Sequence, residues 1–357
     1  MRPTHAEIDL GAIRHNVGAI ARLVAPAEFC AVVKADAYGH GDVPVAEAAL
    51  EAGAGRLAVA LVEEGVRLRE AGITAPILVL SEPALRDAGE LVRWDLTPTA
   101  YRPEFIDALA AVATSPLDVH LKIDTGMHRV GAPPETLADL VDAVADPLRL
   151  AGIWTHFPVA DEDPDYTREQ IARFEDALGD RNVPVHLANT AGAILFPEAR
   201  GSLVRVGLGT YGLHPCPPTR DVIELQPALS VVSEVIYRQR LPAGERPSYG
   251  RRRPLAREST VVTVPIGYAD GVPRLLSSTG GEVLIGGRRY PLAGTVTMDQ
   301  ILIDVGDDPV SVGDQVTLIG RQGDEEITAD EWAEKVDTIS YEVVCDIGPR
   351  VPRRYKE

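Results

Sequence analysis

Over its first two-thirds the chain alternates short apolar runs with longer segments whose apolar residues recur at helical spacing. The runs FCAVVKA (29–35), RLAVALV (56–62), PILVLS (76–81), DLTPTA (95–100) and DVHLKID (118–124) are read as strands. LAGIWTHF (150–157), PVHLANT (184–190) and LVRVGLG (203–209) continue the series. Between them VPVAEAALEAGA, EEGVRLREAG, PETLADLVDAVAD and REQIARFEDALG predict helices. Eight strand–helix alternations match a (β/α)8 TIM-type barrel. A doubly wound open sheet is the alternative, and the lack of a glycine-rich dinucleotide fingerprint after the first strand lowers it.

Beyond residue 225 the rhythm changes. Helical patterns nearly vanish, and ALSVVSEVIYRQ, TVVTVPIG, EVLIGG and DQVTLIG read as strands separated by Gly, Pro and Asp turns. The expected organisation is an α/β barrel over residues 1–225 and a mostly-β C-terminal domain over 226–357. Residues 1–9 are allowed to pair with the β domain, and PCPPTRD (215–221) is taken as the connector.

With 357 residues the chain is too long for one ordinary core, which agrees with two domains. A formal net charge of −18 argues against binding nucleic acid or an anionic membrane through a general basic surface. The three cysteines, Cys30, Cys216 and Cys345, are far apart and lack metal-ligand spacing, so neither a disulfide framework nor a metal is expected. MRPTHAEIDL lacks an apolar signal core and no run reaches membrane-spanning length, which points to the cytoplasm.

Only four lysines accompany 31 arginines. Coding bias accounts for an arginine-rich surface. It does not account for Lys34 and Lys122, which survive at the ends of strand-like runs. Barrel enzymes carry their chemistry at the C-terminal ends of strands. Those positions here hold Lys34, Lys122, Asp124, His156, Asn189, Thr190 and Arg205. Singly, each could be an ion-pair or hydrogen-bond partner; together they converge on one barrel mouth. A lysine desolvated there loses proton affinity, and a neutral amine is what Schiff-base chemistry needs. The usual carbonyl partner is pyridoxal 5'-phosphate (PLP), which requires a phosphate cradle. RVGLGTYG (205–212) follows strand eight, where barrels commonly bind phosphate, and Asn189, Thr190 and Tyr38 could reach one.

The motifs AVVKADAYGHG, LKIDTGMHRVG, THFPVAD, LANTAG, VRVGLGTYGLHP, PSYGRR, GYADGVPR, TVTMDQ and YEVVCDIGPRVPR resemble the PLP-dependent alanine racemase family in order and spacing, over essentially the whole chain. The resemblance implies a head-to-tail homodimer with shared active sites that interconverts L- and D-alanine, supplying D-alanine for peptidoglycan. It implies that Lys34 holds PLP and acts as one base, and that Tyr249 from the partner subunit is the second, activated by His156 and nearby positive charge. Arg205 would face the PLP pyridine nitrogen and keep it unprotonated, which suppresses transamination. Arg129 would lie near the PLP phenolic oxygen and the substrate carboxylate, with Met298 (through its amide) and Asp299 from the partner. Tyr268 and Tyr341 would narrow the substrate entrance. Lys122 matches a lysine carbamylated in some members; without the carbamate it would need Asp124 or chloride as a partner.

Three positions depart from the family pattern. Asp36 stands for a common asparagine, His128 for a frequent glycine, and Pro349 for a tyrosine that some members place on the phosphate. The phosphate would then rely on Tyr38, Thr190 and the amides of Gly207 and Leu208. The rival readings are a racemase of serine, lysine or arginine, a non-catalytic PLP-binding protein and a fold-related decarboxylase. The non-catalytic reading is disfavoured because the β domain with Tyr249, Met298 and Asp299 is present. Decarboxylation favours a protonated pyridine nitrogen, which Arg205 opposes.

Overall fold

The computed structural model describes residues 2–357. After a first strand, β1 (His5–Asp9), come β2 (Glu28–Val32), β3 (Arg56–Val59), β4 (Ile77–Val79) and β5 (Thr97–Ala100). β6 (Leu117–Lys122), β7 (Leu148–Trp154), β8 (Val185–His186) and β9 (Leu203–Val206) complete a series of eight, β2 to β9. These eight pair in parallel in the order β8-β7-β6-β5-β4-β3-β2-β9. The amides of Ser202 and Arg205 close the ring by donating to Val185 O (2.8 Å) and Ala188 O (3.0 Å). Strand interiors are buried because helices cover the outer face and side chains fill the inner one.

The strands are shorter than their apolar runs predict. The first leaves sheet geometry at Val32, and the residues beyond it belong to the mouth loops. Ala35, Asp36, Ala37 and Tyr38 all have φ between 52° and 54°, a left-handed turn built without glycine. Such a conformation costs about 1–2 kcal/mol per residue, so the surroundings must hold it. Glu64 accepts from the Ala35 amide (2.7 Å), Val33 O from the Ala37 amide (2.9 Å), and Asp36 Oδ1 from the Asp42 amide (3.0 Å). The last bond needs only a side-chain oxygen, so aspartate and asparagine serve alike at position 36.

The chain divides into two compact units. One comprises Gly11–Ala37 and Gly41–Pro227; the other comprises the N-terminal residues to Leu10, Tyr38–His40 and Ala228–Glu357. PCPPTRD is therefore not a bare connector: Pro217–Val222 forms a helix within the barrel unit. The second unit holds β10 (Leu229–Glu234), β11 (Tyr237–Leu241), β12 (Ser259–Val264), β13 (Glu282–Ile285) and β14 (Arg288–Pro291). β15 (Ile301–Gly306), β16 (Gln315–Gln322), β17 (Glu325–Ile327) and β18 (Arg353–Lys356) follow. A seven-stranded sheet runs β14-β13-β16-β10-β1-β18 with β17 beside β16, and β11-β12-β15 form a second sheet. β1 lies antiparallel to β10 and parallel to β18, so the N-terminal residues complete this unit. Helices do not vanish here as the sequence pattern suggested. Ala329–Val336 and Ser340–Cys345 are helical, the first capped by Thr328, whose hydroxyl accepts from the Glu331 amide (3.0 Å).

Candidate active site

Arg205 is the best-anchored side chain at the barrel mouth. It points inward from β9, 3% exposed, with its guanidinium bonded on two sides. Nη1 donates to His186 O and His186 Nδ1, both at 2.8 Å. Nη2 donates to Thr155 O (2.8 Å) and Leu187 O (3.0 Å) and approaches His156 Nδ1 (3.4 Å). The fifth donor, Nε–H, makes no bond among the described residues. Burial lowers the Arg205 pKa to about 9, so the group stays cationic at neutral pH.

Lys122, at the end of β6, lies beside it. Its Nζ sits 4.5 Å from the Trp154 ring centroid, and Arg205 Cζ sits 4.4 Å from the same ring. Burial first, then the charges of Arg205 and Arg129, pull the Lys122 pKa down to about 7; Lys34 acts in the same direction. His156 is held neutral by burial and then by Arg205, Lys122, Arg129 and Lys34. Lys34, Lys122, Arg129 and Arg205 thus all lie within electrostatic reach of His156. Asp124 makes no ion pair with Lys122 and offsets these cations only in part. Its Oδ1 accepts from the amides of Gly126 (2.9 Å), Met127 (2.9 Å) and His128 (3.1 Å), locking the loop that carries exposed Arg129. His128 has φ 56°, which explains why a glycine suits that position.

The turn after β9 brings Gly207 and Leu208 together with Thr190. The Gly209 amide donates to Thr190 Oγ1 (3.4 Å), and a Cβ on Gly209 would lie 2.9 Å from Thr190 Cγ2. Leu208 opens a 3-10 turn, whose first amides have no partner inside the turn. Asn189 is committed elsewhere: Oδ1 accepts from the Gly192 amide (2.9 Å) and Nδ2 donates to Phe157 O (3.4 Å). This mouth fits PLP. The unspent Arg205 donor suits a bare ring nitrogen, the cations suit a phosphate and a carboxylate, and the turn offers amides.

The remaining predicted residues lie on the β-domain unit. There Thr295 Oγ1 donates to Tyr249 O (2.8 Å) and Ser248 Oγ to Thr295 O (2.6 Å). Two residues on, the Tyr268 amide donates to Thr297 O (2.9 Å) and the Ala269 amide to Met298 O (3.1 Å). A Cβ on Gly267 would fall 2.2 Å from Thr297 O, so glycine alone permits this approach. The loop 295–299 thus gathers Tyr249, Tyr268, Met298 and Asp299, and Arg350 fixes Asp299 at 2.7 Å. Tyr38 packs against Tyr341 with centroids 6.2 Å apart, and burial raises the Tyr38 pKa. Sequence reasoning missed Trp154, His120 and His186. The signal was a polar residue inside a buried strand, two places before Lys122 in one case.

Fold and barrel mouth together define a barrel enzyme, extended by a β domain, with cations clustered at the barrel mouth. Residues 8–215 match the family "Alanine racemase, N-terminal domain" and residues 228–355 match "Alanine racemase, C-terminal domain". The alanine racemase of Symbiobacterium thermophilum is 47% identical, covering 99% of this chain and 97% of its own. That of Halothermothrix orenii is 44% identical, over 99% and 97%. The crystal structure of alanine racemase from E. faecalis superposes with a TM-score of 0.94 at 40% identity, over 99% of this chain and 98% of that one. The chain belongs to the alanine racemase family.

Proposed function

We propose that the protein interconverts L- and D-alanine with PLP bound at the barrel mouth, as a homodimer in which each site is completed by the second copy. The observation that carries this reading is Arg205, anchored through both terminal nitrogens yet with its Nε–H unspent among the described residues. PLP, when bound, supplies the electron sink that makes the Cα–H of an amino acid acidic.

The chain's own groups then do the following. Lys34 holds the cofactor covalently and moves a proton at Cα on one face. Tyr249 of the other copy serves the opposite face, since inversion needs one group on each side. With PLP bound, Arg205 would offer its Nε–H to the ring nitrogen and hold that nitrogen unprotonated, which would favour return of the proton to Cα. Arg129 and the Met298 amide receive the substrate carboxylate, with Asp299 alongside. Tyr38, Thr190 and the amides of Gly207 and Leu208 hold the phosphate, while Asn189 shapes that turn. Tyr268 and Tyr341 restrict the entrance to a small amino acid. His156 stays neutral against Arg205 and is available to Tyr249. Lys122, once carbamylated, orients Arg129. The enzyme works in the cytoplasm, and its product feeds peptidoglycan precursors. No helix among the described residues is long and apolar enough to cross a membrane.

The test is the visible absorbance of the purified protein combined with alanine turnover in both directions. A cofactor band lost in Lys34→Ala, with turnover, supports the reading. A band without turnover of any amino acid leaves a PLP-binding protein, and no band refutes the cofactor assignment.

A further inference from the structure

Arg205 is aimed by His186, and His186 is aimed in turn by a second buried ring. His120 Nδ1 and His186 Nε2 are 2.8 Å apart, with the rings edge to face at 4.9 Å. His186 also stacks on Trp154 at 5.5 Å and 14°. His120 lies on β6 and His186 on β8, with β7 between them, and both are at most 2% exposed.

The protons in this chain follow from what each group can do. A guanidinium only donates. Arg205 Nη1–H therefore donates to His186 Nδ1, which must be bare. Neutral His186 then carries its proton on Nε2 and donates to His120 Nδ1, which must be bare as well. His120 carries its proton on Nε2, and this buried N–H finds no acceptor among the described residues. Protonating either ring would set a donor against a donor. Burial above all holds both rings neutral, His120 at a pKa of about 3; Arg56 and Arg205 add to it at His120, and Arg205 adds to it at His186.

Space for the His120 ring is provided by β7. Its pairing with β6 shifts register between Val119 and His120, passing from Val119↔Leu150 to His120↔Gly152 and skipping Ala151. A Cβ on Gly152 would lie 2.6 Å from His120 Nδ1. A side chain at 152 would occupy the place where the hydrogen bond to His186 forms.

We propose that His120, seated against Gly152, is a positioning residue of this site: by accepting from His186 it fixes the tautomer of the ring that aims Arg205. The proposal rests on the reading of Arg205 as the group facing the cofactor ring nitrogen. The unpartnered His120 Nε2–H carries the desolvation cost of an orphaned buried donor, while the bonds that aim Arg205 use the other end of the chain.

The first measurement does not depend on cofactor or turnover. NMR of isotope-labelled imidazole nitrogens in the whole protein should show the His120 and His186 rings as Nε2–H tautomers that do not titrate between about pH 5 and 8. Finding His186 as the Nδ1–H form, or either ring titrating there, overturns the proposal. The second uses the holoenzyme. His120→Asn keeps an acceptor where Nδ1 sits, whereas His120→Phe keeps volume alone. Misaiming of Arg205 should lower kcat by up to about 100-fold, leave KM little changed and raise the transamination side reaction. Gly152→Ala should behave like His120→Phe, and His120→Asn should recover most of the loss. Equal behaviour of the Asn and Phe variants would reduce His120 to packing. Absence of PLP from the wild type would sink the functional reading while leaving the tautomer result standing.

Discussion

Lys122 Nζ lies 4.5 Å from the centroid of the Trp154 ring, and among the described residues no carboxylate pairs with it. The indole face is a weak substitute for a counter-ion. The amine is consequently poised near neutrality, with a pKa of about 7. A neutral amine attacks CO2, and the resulting carbamate would place an anion beside Arg129 and Arg205. We expect labelled bicarbonate to yield a carbamate carbon signal in the wild type that grows as pH rises through about 7 and is absent in Lys122→Arg. A spectrum without that signal at any pH would mean that Lys122 works as a bare amine on Trp154.

Stability should fall on acidification, for two reasons of the same sign. His120, His156 and His186 are neutral when folded and have folded pKa values below the unfolded 6.5. Below that pH the unfolded chain binds more protons, so each ring costs roughly 1.4 kcal/mol per pH unit until its folded pKa is reached. Lys122 is lowered from 10.5 to about 7, so its burial penalty is full below pH 7 and is relieved as pH climbs toward 10.5. Denaturant unfolding should give lower stability at about pH 5 than at pH 7. Lys122→Met should gain most at neutral and acid pH and least near pH 10. A flat profile from pH 7 to 5 would contradict the neutral-histidine assignment.

How much of this was legible beforehand depended on whether a signal was local. Barrel strands announce themselves as apolar runs with turns, and reading only their C-terminal ends placed Lys34, Lys122, His156 and Arg205 in one site. The left-handed turn at 35–38 was not legible, because Ala and Asp have no intrinsic preference for it; Glu64 imposes it from a later helix. β1 belongs to the second unit through pairing with β10 and β18, contacts that no local pattern encodes. The helix Ala329–Val336 did carry a signal in the Thr328 cap and was masked by the strand-like runs around it. His120 and Trp154 were passed over because both sit inside strands, where attention went to the ends.

Arg205→Glu tests the role of the guanidinium at the ring nitrogen. A carboxylate there would favour a protonated ring nitrogen and would also charge His156 and His186, the two rings now bonded to Arg205. Alanine interconversion should fall by orders of magnitude, and incubation with alanine should release pyruvate, at most one per site, because the amino group stays on the cofactor and no acceptor removes it. Retained PLP with no rise in pyruvate would show that Arg205 does not control where the proton returns.

His128 holds φ 56° while its amide donates to Asp124 Oδ1 (3.1 Å). Glycine would keep that bond, relieve about 1 kcal/mol of left-handed strain, and lose part of the gain to greater unfolded entropy. His128→Gly is thus expected to be neutral to stabilising by up to about 1 kcal/mol, read as a shifted denaturation midpoint. A clear loss of stability would mean that the imidazole, 3.7 Å from Asp124 Oδ2, contributes more than its exposure suggests.

Tyr249, Tyr268 and Met298 are 73%, 44% and 51% exposed on a single chain, gathered by one loop. Apolar bulk clustered on a surface marks a place that something covers. Ser248, immediately before Tyr249, is strained at φ 68°. Such strain persists only where the surroundings enforce it, and it is common at functional sites. If a second copy covers the patch and borrows Tyr249, two inactive variants should complement each other. Mixing Lys34→Ala with Tyr249→Phe after subunit exchange yields heterodimers in which one site of two combines an intact Lys34 with an intact Tyr249. Random pairing makes half of the dimers mixed, so about a quarter of the wild-type activity should return. Should Tyr249 act within its own chain, neither variant can rescue the other and the mixture stays inactive.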